Sequence, residues 1–207
     1  MEKARLKDFE RELRSRVTGD VYFDNMTRGI YSTDASMYQI TPVAVVLPKD
    51  EADACAAVRT AAEYNVSILP RGGGTTLDGQ CVNNSMVIDF TKYMNQILEL
   101  NVQQRWVRVQ PGIVLDVLNA ELARHGLIFA PDPATSNRCT IGGMMGHRRP
   151  CRQAGEHIET AADAVTDRYK CVFVPLTQKI FLSRRTYRDK QNVRVARSNL
   201  FGNSLLL

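Results

Sequence analysis

A chain of 207 residues, 44% hydrophobic and 24% charged, has the composition of an ordinary folded protein, with one domain the default and room for two small ones. No apolar run approaches the ~20 residues of a membrane-spanning helix, and no apolar core follows Met1-Glu2-Lys3-Ala4-Arg5 as a secretory signal requires. Cys55, Cys81, Cys139, Cys151 and Cys171 are odd in number, widely spaced and without a C-x-x-C pair. No metal site is therefore expected, and reduced thiols in a cytoplasmic protein are. The net charge of +5 is lopsided, since residues 147–207 hold twelve Lys and Arg against five Asp and Glu and leave 1–146 slightly acidic.

In chain order, residues 3–17 place Leu6, Phe9, Leu13 and Val17 three and four apart. That spacing predicts a helix with one apolar face, and the mixed charges elsewhere make it a packing helix rather than a membrane-surface one. Ala44-Val45-Val46-Leu47-Pro48 predicts a strand ended by proline. Residues 51–64 predict an alanine-rich helix whose acidic first turn suits the positive end of the helix dipole. Val66-Ser67-Ile68-Leu69 reads as a short buried strand and Met86-Val87-Ile88-Asp89-Phe90 as another. Strand, helix, strand is a β-α-β unit, and ligands gather at the carboxyl ends of such strands.

At that end stands Pro70-Arg71-Gly72-Gly73-Gly74-Thr75-Thr76-Leu77-Asp78-Gly79-Gln80. Three successive glycines take positive φ without strain and bring bare backbone close to a ligand. Successive amides in such a turn form a nest for phosphate oxygens, to which two threonine hydroxyls and the Arg71 charge add. The spacing is not that of a P-loop, for no lysine follows, nor of the dinucleotide fingerprint, for Leu77 occupies the third glycine position. A glycine-rich surface turn is the plain alternative, and Arg71 could equally pair with a surface carboxylate.

Residues 97–101 and 106–110 predict a hairpin, with Trp106 as a strand core residue rather than a flavin-stacking one. Residues 114–125 predict a helix stopped by Gly126, with His125 in its last turn as a cap rather than a catalyst. Beyond Gly146 only Cys171-Val172-Phe173-Val174 has a strand's pattern. Without further strands the 106–110 segment is left with an open edge.

Residues 70–80 resemble the P-R-G-G-G-T-S-L-x-G-Q loop of FAD-linked oxidases and dehydrogenases with the p-cresol methylhydroxylase (PCMH) type of FAD-binding domain. Val109-Gln110-Pro111-Gly112, Pro131-Asp132-Pro133-Ala134-Thr135-Ser136 and Thr140-Ile141-Gly142-Gly143-Met144 are similar to its next three motifs, in order. Tyr31-Ser32-Thr33-Asp34-Ala35-Ser36 resembles the opening segment of large members that join a glycolate oxidase or D-lactate dehydrogenase-like FAD domain to iron–sulfur domains. The likeness covers residues 1–146, and 147–207 form a basic tail of no recognisable family. A reading-frame shift or a truncated frame gives such a tail, and so does divergence.

The resemblance implies an α+β fold, with a small α/β subdomain and an incomplete, mostly antiparallel second one. It implies non-covalent FAD, since members with covalent flavin carry histidine after the glycines where Thr75 stands here. It assigns the diphosphate to backbone groups of Arg71, Gly72, Gly73, Gly74, Thr75 and Thr76, with Gly79 and Gln80 beside it. Pro111 and Gly112 would shape the adenosine side, and Pro131, Asp132, Ser136, Thr140, Ile141, Gly142 and Gly143 the rest. The residue chemistry speaks less for Asp132, since an acid in a proline-flanked turn more often caps local amides.

The implied reaction is oxidation of a small 2-hydroxy acid (D-lactate, glycolate or D-2-hydroxyglutarate), with hydride passing to flavin N5 and an electron acceptor that is not specified. In the family it resembles, the groups that act on substrate usually belong to a separate cap domain, so no catalytic residue is named and the isolated chain is expected to be incomplete. The alternatives are a non-catalytic FAD or nucleotide-binding module, and a nucleic-acid binder using the basic tail. The tail has no reading motif or interleaved aromatics, so no nucleic-acid partner is expected.

Overall fold

The computed structural model describes residues 3–146 and 178–184. Helix α1 (Lys3–Arg16) follows the predicted spacing and buries Phe9 and Leu13 completely. Its solvent face carries Arg14–Glu10 and Arg16–Glu12 pairs one turn apart, which as exposed pairs add little to stability. Strand β1 (Asp20–Tyr22) and helix α2 (Asn25–Ile30) come next, the latter capped by Asp24, whose carboxylate accepts from Thr27 N–H. Strand β2 (Ala44–Leu47) leads into α3 (Glu51–Glu63), which is capped by Asp50 through Asp53 N–H.

Strands β3 (Ile68–Arg71) and β4 (Met86–Asp89) complete a four-stranded sheet in the order β1-β2-β4-β3. β2, β4 and β3 run parallel, and β1 is antiparallel at one edge. β2 and β4 are buried on both faces, as central parallel strands are. Ala44, Val46, Met86 and Ile88 face Phe9, Leu13, Ala57 and Ala61, while Val45, Leu47 and Val87 pack with Tyr22, Tyr31 and Tyr93. β3 departs from expectation. It is an edge strand shifted two residues along, with Ile68 37% exposed, because β4 rather than β3 took the place beside β2.

The second unit is antiparallel. Strands β5 (Ile97–Asn101) and β6 (Trp106–Val109) form the predicted hairpin, and Arg105 turns it with φ 56°. Helix α4 (Leu115–Ala123) is shorter than the expected 114–125: Arg124 caps it and His125 falls in the following turn, which Gly126 (φ 67°) closes before β7 (Leu127–Ile128) and the short α5 (Ile141–Gly146). Strand β8 (Gln178–Phe181) then pairs with β6, Val107 opposite Ile180, and β9 (Ser183–Arg184) pairs with β7.

The expectation of an open edge beside Trp106 is thus overturned, since β6 has neighbours on both sides. Ile180 and Leu182 complete a core of Val107, Val109, Ile113, Leu118, Leu122, Leu127 and Phe129. Full burial of such a side chain contributes about 1.5–3 kcal/mol. The expected strand at 171–174 lies outside the described residues. Trp106 is a strand core residue as expected, its indole N–H bonded to Gln104 Oε1 at 2.9 Å.

The two units meet at Pro111 and Gly112. Gly112 N–H donates to Met94 O at 2.8 Å, and a Cβ on Gly112 would lie 2.2 Å from Phe90 O. Only glycine lets the second unit leave the first at this point.

Candidate functional site

The glycine loop leaves the carboxyl end of β3, where the sequence placed it. Its first two glycines are packed against the second unit. A Cβ on Gly72 would sit 2.2 Å from Thr140 Oγ1, and one on Gly73 2.2 Å from Arg138 O. Gly74 and Gly79 need glycine for another reason, their φ being 62° and 72°. Bare backbone therefore serves packing at two positions and turn geometry at two more.

The loop also presents donors. Among the described residues, no acceptor pairs with the amide N–H of Gly72, Gly73, Gly74, Thr75 or Thr76. Residues 72–75 are half-buried to exposed, so these amides form a row of donors open to a ligand or to water. The hydroxyls are not all available. Thr76 Oγ1 donates to Gln80 Oε1 at 2.6 Å and accepts from Asp78 N–H at 3.3 Å, so Thr76 and Gln80 brace the turn.

Arg71 is engaged with the Tyr31 segment and Cys81. Its guanidinium donates to Thr33 O at 2.7 Å, Cys81 O at 3.1 Å and Tyr31 O at 3.3 Å, and lies 5.2 Å from the Tyr31 ring centroid. Its acceptors are carbonyls, not the surface carboxylate held open as an alternative. The Arg71 carbonyl in turn accepts from Phe90 N–H.

Around it a polar cluster forms. Tyr31 Oη donates to Asp89 Oδ2 at 2.6 Å, and burial together with that carboxylate pushes the phenol well above its ordinary range. Burial alone would raise the Asp34 carboxyl. Hydrogen bonds from Ser36 and Cys81 N–H, with the nearby Arg71 charge, outweigh it and hold Asp34 below the usual range. Burial pushes the Cys81 thiol up.

The later motif residues divide. Thr140 is buried, with Oγ1 accepting from Gly143 N–H at 3.3 Å. Ile141 N–H donates to Ile113 O, and Gly142 N–H to Pro111 O at 2.9 Å. A Cβ on Gly142 would lie 2.7 Å from Pro111 Cβ. Thr140, Ile141, Gly142 and Gly143 are thus brought against Gly72 from one side and Pro111 from the other, while Pro111 and Gly112 are themselves buried in the joint. Ser136 lies in the turn before them, its N–H donating to Pro133 O and its carbonyl accepting from Asp116 N–H. Pro131 is half-buried, and Asp132 is exposed with no donor among the described residues.

Sequence reasoning missed the parts played by Arg138, whose carbonyl seats Gly73, and Tyr38, whose ring would meet a Cβ on Gly79 at 2.5 Å. Neither residue type carries a signal for such a contact. The Tyr31 segment was visible as a motif, and Asp34-Ala35-Ser36 has the spacing of an Asx turn.

A shallow depression of about 280 Å³ lined by Arg5, Tyr64, Asn65, Ser67 and Asn84 lies at the amino ends of β3 and β4. That is the opposite end of the sheet from the loop. The donor set at the loop fits a diphosphate: unpaired amides in succession, small residues beneath them, and the second unit's glycine turn alongside.

The family model described as an FAD binding domain matches residues 42–165. Over 146 residues, 69% of this chain, the sequence is 45% identical to a D-2-hydroxyglutarate dehydrogenase of Pseudomonas putida and covers 14% of that protein. Over 142 residues it is 37% identical to the glycolate oxidase subunit GlcD of Bacillus subtilis, covering 66% of this chain and 30% of that one. The structure of p-cresol methylhydroxylase with substrate bound superposes with a TM-score of 0.61 at 15% identity, covering 70% of this chain and 30% of that one. The chain therefore spans about a seventh of the first relative and under a third of the second. Among the described residues no helix is long and apolar enough to cross a membrane. With the family model across more than half of its length and the α+β architecture shared with p-cresol methylhydroxylase, this chain belongs to the FAD binding domain family.

Proposed function

We propose that the chain is the FAD-binding portion of a cytoplasmic flavin oxidoreductase that oxidises a small 2-hydroxy acid of the D-2-hydroxyglutarate, glycolate or D-lactate type. The observation that carries it is the row of unpaired amides at residues 72–76, set at the carboxyl end of a parallel strand. On this reading Gly72, Gly73, Gly74, Thr75 and Thr76 hold the diphosphate with Gly79 and Gln80 beside it, while the Arg71 backbone, engaged with β4, leaves the set the resemblance implied. Pro111 and Gly112 shape the adenosine side, and Pro131, Asp132, Ser136, Thr140, Ile141, Gly142 and Gly143 line the remainder. Residues 1–146 carry the domain, extended by Gln178–Phe181 on the edge of β6. When bound, FAD supplies the acceptor for the hydride that leaves C2 of the hydroxy acid. Thr75 offers no imidazole for a flavin bond, so the cofactor is held non-covalently.

Titration with FAD and with riboflavin tests the reading, since riboflavin has no diphosphate to fill the nest. FAD is expected to bind at least tenfold more tightly and to appear in the supernatant after acid precipitation. Equal affinities would remove the nest, and flavin in the pellet would remove the non-covalent assignment. Anaerobic mixing of the FAD-loaded chain with the three acids is expected to leave the oxidised spectrum intact. Losing the orientation a cap domain provides forfeits about 7–11 kcal/mol of barrier lowering. Rapid bleaching would place a whole active site within these residues.

A further inference from the structure

The half-buried Arg71 side chain spends its donors on backbone carbonyls. It bridges carbonyls from two separate segments, Tyr31 and Thr33 on one and Cys81 on the other. Cys81 closes the glycine loop, and its N–H is held by Asp34 Oδ2 at 3.2 Å. The same Tyr31 segment reaches the loop directly, for Ala35 N–H donates to Gly74 O at 3.0 Å. Gly74, with φ 62°, turns over the guanidinium so closely that a Cβ there would lie 2.8 Å from Arg71 Nη2. Tyr31, whose ring the guanidinium covers, is fixed to Asp89 at the end of β4. The two ends of the loop, the neighbouring strand and the Tyr31–Ala35 segment thus converge on one planar cation.

We infer that the Arg71 side chain is a positioning residue, setting the conformation in which residues 72–76 present their amides to a diphosphate without touching that diphosphate itself. The inference rests on the reading of the loop as a diphosphate cradle. Guanidinium suits the task because its flat fork of five donors can serve several acceptors in fixed directions, which a lysine ammonium on a flexible stem does not reproduce. The role also explains the Tyr31-Ser32-Thr33-Asp34-Ala35-Ser36 motif, which supplies the carbonyls, the ring and the carboxylate that surround Arg71.

The test compares wild type, Arg71→Met and Arg71→Lys for FAD and riboflavin affinity over a range of salt. Wild type is expected to prefer FAD. Both variants are expected to lose FAD affinity at least tenfold while riboflavin affinity moves less than twofold, a change in selectivity that mere loss of stability would not produce. Restoration of wild-type FAD affinity by Arg71→Lys would make Arg71 a direct phosphate contact and overturn the inference. So would a full FAD preference in Arg71→Met. A wild type with no FAD preference would instead defeat the cradle reading on which the inference rests.

Nuclear magnetic resonance on the wild-type chain tests the same point without a variant. FAD addition is expected to shift the amide signals of residues 72–76 and to leave the Arg71 guanidinium protons protected and in place. A guanidinium signal that moves with FAD but not with riboflavin would overturn the inference.

Discussion

Replacing Gly73 by Ala separates the two uses of bare backbone in the glycine loop. The new Cβ would lie 2.2 Å from Arg138 O and 3.1 Å from Arg138 C, against a practical floor of 3.0 Å, so the carbonyl must retreat by at least about 0.8 Å. It is poorly placed to do so. Arg138 and Cys139 N–H both donate to Thr135 O at 2.8 Å, and Cys139 O accepts from Leu115 N–H at 3.1 Å, which ties the turn to α4. Overpacking against anchored backbone costs about 1–3 kcal/mol. Urea denaturation of flavin-free Gly73→Ala is expected to show that loss at an unchanged m-value, before any cofactor contact is counted. FAD affinity should fall as well, since the donors are displaced with the loop. A flavin-free midpoint equal to wild type would refute the packing argument and leave Gly73 a glycine for the cofactor alone.

Gly29→Ala in α2 adds a Cβ with nothing within 4 Å and should stabilise by about 0.5–1 kcal/mol; a loss in the same denaturation assay would contradict the open space. Ile180→Ala should destabilise by about 2–5 kcal/mol, because Ile180 is 1% exposed within the second core; a melting temperature within a degree of wild type would remove β8 from that core. Asp53 is buried, which raises its carboxyl, but hydrogen bonds from Thr18 and Lys49 N–H and Thr18 Oγ1 outweigh this and hold it below the ordinary range. A depressed carboxylate stabilises above its unfolded pKa and loses that contribution as pH falls through the folded one. Asp53→Asn should therefore cost stability at neutral pH and progressively less below about pH 4. An equal cost at both ends would contradict the assignment.

The elements that were legible in the sequence are those with local cause. Leu6, Phe9, Leu13 and Val17 repeat at helical spacing and form one buried stripe, and the hairpin pairs Asn101 with Trp106 across a four-residue turn. What was not legible depends on distant partners. The buried reading of Val66 to Leu69 came from apolar content, yet whether a strand is central or at the edge is decided by which strand docks beside β2, and that was β4. Gln178-Lys179-Ile180-Phe181 is as long as β2 but half polar, without the apolar run of Ala44–Leu47, and becomes a strand only against β6. At the site, the glycines and the T-I-G-G-M turn were visible, while the reason for Gly72 and Gly73 lay in Thr140 and Arg138, some 65 residues away in sequence. Arg71 reads as a charge for phosphate until the carbonyls around it are seen.

The position of β6 between a neighbour five residues upstream and another nearly seventy downstream sets an order of assembly. The β5–β6 hairpin closes a short loop and can form within microseconds. The β8 side must wait for a far longer segment to close, an entropic cost that rises only slowly with length but delays the contact that rewards it. Until then Val107, Ile113 and Leu118 lack the side chains of Ile180 and Leu182 over them. A nascent chain emerging from the ribosome would carry a finished first sheet beside a half-covered second one, and that interval is when this protein is most open to chaperone capture and to pairing with a neighbour's strand.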